Sequence, residues 1–251
     1  MLVMGILNVT PDSFADGGKH NDFESAVARG LEMIAEGVDI IDIGGESTRP
    51  GADRVSEAEE IARTIPVIKE LAKHGVKISI DTMRASTAEA AINAGASIIN
   101  DVSGGLADPL MLQTVARLKV PYIAMHWRGQ SKDMNSKAIY GDVVSDVISE
   151  LQERIDAALD AGISRDKLII DPGLGFAKDA DHNWAIIDAI DQFVSMGYPV
   201  LVGASRKRFL GGDSPDEREQ ATINLTKRLA PTGVWAVRVH SVKPHKEVLS
   251  A

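Results

Sequence analysis

Residues 4–14, MGILNVTPDSF, read as one strand and its exit: the apolar run Met4–Leu7 stops at a polar residue, Asn8, and Thr10-Pro11-Asp12 opens a loop. Pro11 has no backbone donor and biases the residue before it toward extended geometry, so the strand ends here with its polar side chain at the C-terminal tip. The same event recurs seven more times along the chain. Val38–Ile43 runs into Gly44-Gly45-Glu46, Lys77–Ile80 into Asp81, and Ser97–Ile99 into Asn100-Asp101. Pro121–Met125 runs into His126, and Lys167–Ile170 into Asp171. Pro199–Val202 leads to Gly203 through Lys207, and Val234–Val237 leads to Arg238 and His240.

Between these runs lie segments of helical period. Phe23–Glu36 places Val27, Leu31 and Ile34 on one face, with Gly37 as its stop. Ser56–Lys73 opens with Ser56 and Glu59 at capping-box spacing. Ser86–Asn93, Asp108–Leu118, Asp142–Ala161, Trp184–Met196 and Pro215–Leu229 follow, and an eighth, weak segment is left in Pro244–Ala251. Strictly alternating strands and helices with short connections imply parallel strands and right-handed crossovers. Eight such units favour a closed (β/α)₈ TIM barrel, spanning 1–251 as a single domain, over an open doubly wound sheet. Arg128–Tyr140 is the one long irregular stretch.

Composition narrows the function. The 251 residues carry a formal net charge of −9, which disfavours nucleic acid as a partner, since phosphate binding needs clustered Lys and Arg. The positive charge that exists gathers at Ser205-Arg206-Lys207-Arg208 and Arg238, a pattern suited to a small anionic ligand. With no cysteine, thiolate nucleophiles, disulfides and Cys-based metal sites are excluded. No apolar run approaches the roughly 20 residues that span a bilayer, and the N-terminus lacks a signal-peptide pattern, so a cytoplasmic protein is expected.

In a barrel of this type the active site is built at the strands' C-terminal ends. That gathers Asn8, Glu46, Asp81, Asn100, His126, Asp171, Lys207, Arg238 and His240 around one mouth. Each has an ordinary structural alternative: Asp81 and Asp171 as loop caps, Asn100 as a turn residue, Glu46 bonded to loop backbone, His126 as a satisfied core histidine. Trp127 and Trp184 read as packing. Their convergence points to chemistry and suggests two sub-sites. Asp81, Asn100 and Asp171 match a flat heterocycle with adjacent N–H donors, such as the amino-pyrimidinone edge of a pterin or guanine. Arg49, Lys207, Arg238 and His240, with Asn8 near them, match phosphate oxygens, and Asn8 offers an oxygen to Mg²⁺. A heterocycle beside a pyrophosphate suggests departure of pyrophosphate from a heterocyclic methylene, with cations stabilising the leaving oxygen. No GxxxxGK[ST] phosphate loop is present.

The motifs GILNVTPDSFADGG, GGESTRPGA, ISIDT, INDVSGG, MHW, LIIDPGLGFAK, GASRKRFLG and RVH occur in this order between about Met4 and Val242. Together they resemble the dihydropteroate synthase family, with MHWRG and DPGLGFAK most similar to its actinobacterial form. The resemblance implies a (β/α)₈ barrel that joins 6-hydroxymethyl-7,8-dihydropterin pyrophosphate to p-aminobenzoate, releasing pyrophosphate, with Mg²⁺ as cofactor. It implies that Asp81, Asn100, Met125, Asp171, Phe176 and Lys207 bind the pterin, and that Asn8, Arg238 and His240 bind pyrophosphate, with the metal near Asn8. Phe14, Thr48, Arg49, Pro50, Phe176, Lys207 and Arg208 would form the p-aminobenzoate pocket, and Asp81, Lys207, Arg49 and Asp16 would carry catalysis. It further implies sulfonamide inhibitors, which mimic p-aminobenzoate, and a homodimer through the last helices. Ser241 departs from the family pattern, standing where many relatives have Asp, and is expected to affect how His240 is oriented. Two alternatives stand beside this reading: a folate-dependent methyltransferase of the same barrel type, and a non-catalytic pterin-binding paralogue.

Overall fold

A computed structural model describes residues 1–10, 19–46, 55–129 and 134–250. Its strands are β1 (Leu2–Asn8), β2 (Ile40–Gly44), β3 (Lys77–Asp81), β4 (Ile98–Asp101), β5 (Tyr122–Met125), β6 (Leu168–Asp171), β7 (Leu201–Val202) and β8 (Ala236–Val239). The helices are α1 (Lys19–Ala35), α2 (Glu57–Ala72), α3 (Ala85–Ala94), α4 (Met111–Leu118), α5 (Val143–Asp160), α6 (Ala180–Asp188), α7 (Ile190–Ser195), α8 (Glu217–Leu229) and α9 (Lys243–Ser250). All strand pairs are parallel, in the order β6-β5-β4-β3-β2-β1-β8-β7. A single parallel bridge, Ile170 to Val200, joins β6 to the start of β7 and closes the ring. The fold is the (β/α)₈ barrel that the strand-and-exit pattern implies.

Side chains alternate faces along a strand, so each strand supplies both an interior and an exterior row. The exterior row, including Ile41, Ile43, Ile78, Ile80, Ile99, Ala124, Ile170, Val202 and Val237, packs under the helices in the main core. The interior row begins with a separate apolar cluster: Met4, Ile40, Ile98, Ile123, Ile169, Leu201 and Ala236, floored by Leu2 and Trp235. This plug fills the lower barrel.

Local chemistry explains most helix limits. Ser56 caps α2 by accepting from the Glu59 N–H at 3.2 Å. The reciprocal half of the expected capping box does not form, because the Glu59 carboxylate pairs with Arg63 one turn on. Asp142 caps α5 through the Ser145 N–H at 2.8 Å. The single helix expected over Trp184–Met196 is instead two, α6 and α7, broken at Ala189. It also starts earlier than expected, since Asp179 and His182 form a capping box ahead of Ala180. The weak terminal segment is a full two-turn helix, fixed by buried His245 and by Lys246 bridging to Asp39 at 3.0 Å.

Gly95 ends α3 in a left-handed conformation, φ 117°, and a Cβ there would sit 2.8 Å from Cβ of Ala72 on α2. Gly95→Ala should therefore cost at least the roughly 1–2 kcal/mol of a left-handed L-residue. A lowered urea midpoint at unchanged slope is the expected result; an unshifted midpoint would show that the α2–α3 contact yields freely.

Candidate active site at the mouth of the barrel

Two residues further along four of the strands from the apolar plug, the interior row turns polar. Ile40 is followed by Asp42, Ile98 by Asn100, Ile169 by Asp171 and Ala236 by Arg238, while Ile123 is followed by Met125. Asp81 lies level with Asn100 in the β3–β4 register. The strand period alone thus sets a charged layer directly on a hydrophobic one. Asp42, Asp81, Asn100, Met125 and Asp171 are all buried, and Asn8 is half-buried at the tip of β1.

Arg238 is the hub of this layer. Its Nε donates to Asp42 Oδ2 and its terminal nitrogen to Asp81 Oδ2, each at 2.6 Å. Asn100 Nδ2 donates to the same Asp42 oxygen at 3.0 Å. The two sub-sites expected from sequence are therefore not separate: the arginine assigned to the basic one is ion-paired with the acidic one. Burial raises Asp81 above the usual carboxylate range, with Arg238 opposing and Asp42 adding to the rise. Burial opposes the charge on Arg238 too, but Asp42 and Asp81 together hold it firmly protonated. Asp42 was not singled out in the sequence because it sits inside the apolar run IIDIGG rather than after it. Its signal was available: it falls two residues past an interior-facing isoleucine.

The loop after β6 forms one wall. Asp171 accepts from the Gly173 N–H at 2.7 Å, and burial raises its carboxyl, partly offset by that bond and by Lys207. Lys207 donates to the Leu174 carbonyl and lies 4.6 Å from the centre of the Phe176 ring, a cation–π contact. Burial lowers Lys207 to about 8, against the pull of Asp171. Gly175, at φ 77°, permits this approach, since a Cβ there would lie 2.8 Å from Lys207 Cδ. Gly173, at φ 69°, faces the His126 carbonyl so closely that no Cβ fits.

His126 does not face the mouth; the structure bears out its reading as a core histidine. It is 1% exposed, with Nε2 2.9 Å from Glu150 and Nδ1 2.8 Å from Lys178 Nζ. Burial, then the adjacent Lys178, lower it to about 4. Burial disfavours ionisation of Glu150, but its bonds to His126 and Arg128 outweigh that and hold it near 2. Lys178 itself, missed in the sequence because it follows the recognisable motif glycines, is buried and drawn down to about 7.

On the remaining side, Ser205 Oγ lies 2.9 Å from His240 Nδ1 and accepts from the His240 backbone N–H at 3.2 Å. Ser205 thus sets the His240 ring. Ser241, next in the chain, accepts from Arg206 through its hydroxyl at 2.8 Å. Arg206, at φ 59°, is also held by Glu219 at 2.7 Å. Arg208 is exposed and opens a short 3₁₀ turn, Arg208–Leu210. Glu46 pairs with Arg84 at 2.8 Å, which also binds Glu60 on α2. Phe14, Asp16, Thr48, Arg49 and Pro50 lie outside the described residues.

A barrel whose interior carries carboxylates, an amide and cations above an apolar plug defines a binder of small polar heterocycles. The sequence profile described as pterin binding enzyme matches residues 4–240, and the chain belongs to that family. The dihydropteroate synthase of Mycobacterium leprae is 49% identical over 257 residues, covering 98% of this chain and 90% of its own. A Xanthomonas albilineans dihydropteroate synthase solved with 4-aminobenzoic acid matches with TM-score 0.94 at 43% identity, covering 99% of this chain and 90% of its own. The same organism's enzyme in complex with 7,8-dihydropteroate matches with TM-score 0.90 at 40% identity, covering 99% and 91%.

The buried, neutral His126 makes stability depend on pH. The unfolded chain takes up this proton near 6.5, the native protein only near 4, so the unfolded state holds more protons in between. Stability should therefore rise with pH across that window by roughly 3 kcal/mol at most, at about 1.4 kcal/mol per pKa unit. Urea titrations from about pH 4 to about pH 6.5 should show this rise in the native sequence and a flatter one in His126→Asn. Equal slopes would assign the dependence to other groups.

Proposed function

We propose that this chain catalyses dihydropteroate synthesis, condensing 6-hydroxymethyl-7,8-dihydropterin pyrophosphate with p-aminobenzoate and releasing pyrophosphate. The observation that carries the reading is the buried layer of Asp81, Asn100 and Asp171 with Arg238 and Lys207 among them, at the mouth of a pterin-family barrel. The pterin's amino-pyrimidinone edge presents N–H donors to Asp171 and Asp81, while Asn100 and Lys207 complete its polar contacts and Met125 and Phe176 its apolar ones. Arg238 and His240 hold the pyrophosphate oxygens, and Ser205 keeps the imidazole aimed.

The reaction proceeds by ionisation first. The bond between the pterin methylene and the pyrophosphate oxygen breaks, and its electron pair leaves with the pyrophosphate. Positive charge spreads into the pterin ring beside Asp81, the neutral arylamine nitrogen attacks the methylene carbon, and that nitrogen then loses its proton. The protein contributes orientation and a fixed electrostatic field, with no covalent intermediate. Arg238 serves both sides of this step, since its positive charge faces Asp81 and the departing anion alike.

Mg²⁺ belongs to the same proposal. Among the described residues no group of three or more His, Asp or Glu could hold a metal, whereas the Asn8 amide oxygen suits an ion that takes few protein oxygens. The remaining oxygens would come from the substrate's phosphates and from water. Such an ion would neutralise charge on the leaving group. The p-aminobenzoate pocket, with Phe176, Lys207 and Arg208 on its described side and Phe14, Asp16, Thr48, Arg49 and Pro50 on the other, is likewise part of the proposal. So are a homodimer through α8 and α9 and a cytoplasmic location; no described helix is long and apolar enough to cross a membrane.

The test is pyrophosphate release from the purified protein with Mg²⁺ and the pterin pyrophosphate, with and without p-aminobenzoate. Release that requires p-aminobenzoate and is competitively inhibited by a sulfonamide is expected. Pterin binding with no release would mean a non-catalytic pterin binder. Asp81→Asn should keep the fold, read by circular dichroism, and lower kcat by about 10²–10³, the scale for losing one preorganised electrostatic group. Turnover near the native rate would remove Asp81 from the mechanism.

A further inference from the structure

Lys178 lies at the end of the loop between β6 and α6, behind the wall that faces the mouth, and is 8% exposed. Its ammonium has three acceptors around it: His126 Nδ1 at 2.8 Å, the Gly173 carbonyl at 3.1 Å and the Phe176 carbonyl at 3.1 Å. An ammonium carries three N–H donors and no acceptor, so the match is complete. His126 is set to receive one of them. Its Nε2–H donates to Glu150, whose other oxygen is held by Arg128, which leaves the lone pair on Nδ1.

The two carbonyls that Lys178 grips bracket Leu174 and Gly175, in a run of backbone rich in positive φ. Gly173, Gly175 and Ala177 all have positive φ, 69°, 77° and 48°, and Ala177 does so with a side chain. The run's own backbone supplies one turn bond, from the Phe176 N–H to the Gly173 carbonyl at 3.1 Å, and the left-handed residues still carry a conformational cost. The front of this same loop supplies the groups that meet the proposed substrates. The Gly173 N–H orients Asp171, the Leu174 carbonyl accepts from Lys207, and the Phe176 ring faces the Lys207 ammonium. Asn183 accepts from the Gly175 N–H at 2.6 Å and donates to the Lys178 carbonyl at 3.4 Å, and Tyr140 donates to the Ala177 carbonyl at 2.9 Å. Lys178 adds a side-chain tie between the same two ends, Gly173 and Phe176.

We propose that Lys178 is a positioning residue for the reaction, its ammonium holding residues 173–177 in the strained shape that presents Phe176, Leu174 and Asp171 to the substrates. Glu150 and His126 act behind it by fixing the ring nitrogen that Lys178 uses. The role rests on the function proposed above. The group works through the loop and touches no reacting atom.

Lys178→Met keeps the length of the side chain and removes all three donors. Its KM for p-aminobenzoate should rise tenfold or more while kcat stays within a few-fold. Ala177→Gly, which accepts positive φ without cost to a side chain, should recover part of that KM in the Lys178→Met background. Glu150→Gln, half-exposed and on α5, should raise KM in the same direction by a smaller factor, and it covers the case in which Lys178→Met does not fold. Unchanged KM in the folded variants would overturn the proposal, as would a fall confined to kcat. Amide hydrogen exchange of residues 173–177 reads the loop without turnover: at least tenfold faster exchange in Lys178→Met, with the strands unchanged, is expected. Native protein that releases no pyrophosphate would sink the proposed function and leave the exchange experiment to decide whether Lys178 holds the loop. Exchange equal to that of the native protein would end the proposal by itself.

Discussion

The contact on which the site depends is the guanidinium of Arg238 lodged between Asp42 and Asp81. Ion pairs taken out of water gain little net stability, because desolvation offsets most of the attraction. A barrel filled by branched apolar side chains to its rim would hold together at least as well. The charges are present because a ligand needs them, and they remain tolerable because they satisfy one another. Asp42 accepts from both Arg238 and Asn100, so one buried carboxylate orients the cation and the amide together. Removing it would disturb both, although Asp42 itself lies at the bottom of the polar layer.

The height of that layer is set by the strands. β2, β4, β6 and β8 each contribute an apolar interior residue and then, two positions on, a polar one, so the plug of Met4, Ile40, Ile98, Ile123, Ile169, Leu201 and Ala236 is the floor of the site. Apolar walls below and helices outside limit water around the carboxylates. This is the common origin of the raised Asp81 and Asp171 and the lowered Lys207. The same burial that supports the plug tunes the charges above it.

Much of this was legible in the sequence, because a strand's end is a local event. Asn8, Asp81, Asn100, Asp171 and Arg238 all stand where an apolar run meets its first polar residue, and the structure brings them to one mouth. Asp42 escaped because it interrupts a run instead of ending it. Lys178, Glu150 and Ser205 escaped for a different reason. Their importance lies in contacts 52, 24 and 35 residues away in the chain, and no local pattern encodes those. Helix detail departed from the sequence reading in several ways: Glu59 paired with Arg63 instead of completing a capping box, Asp179 capped α6 ahead of its expected start, Ala189 split one helix into two, and α1 began at Lys19 rather than Phe23. The separation into acidic and basic sub-sites failed because opposite charges in one small cavity pair with each other before any ligand arrives.

One seam of the barrel carries a mechanical consequence. The ring closes between β6 and β7 through a single bridge, Ile170 to Val200, and β7 is only two residues long, whereas β1 and β2 are matched over five register pairs. The two loops that flank this seam are those bearing Phe176 and Lys207. This is the least stitched joint among the described strands, and the Lys207 contacts to Leu174 and Phe176 are cross-ties over it. A ligand seated against both loops would add further ties across this joint, so occupancy of the mouth would also reinforce the barrel wall where its strands share the fewest bonds.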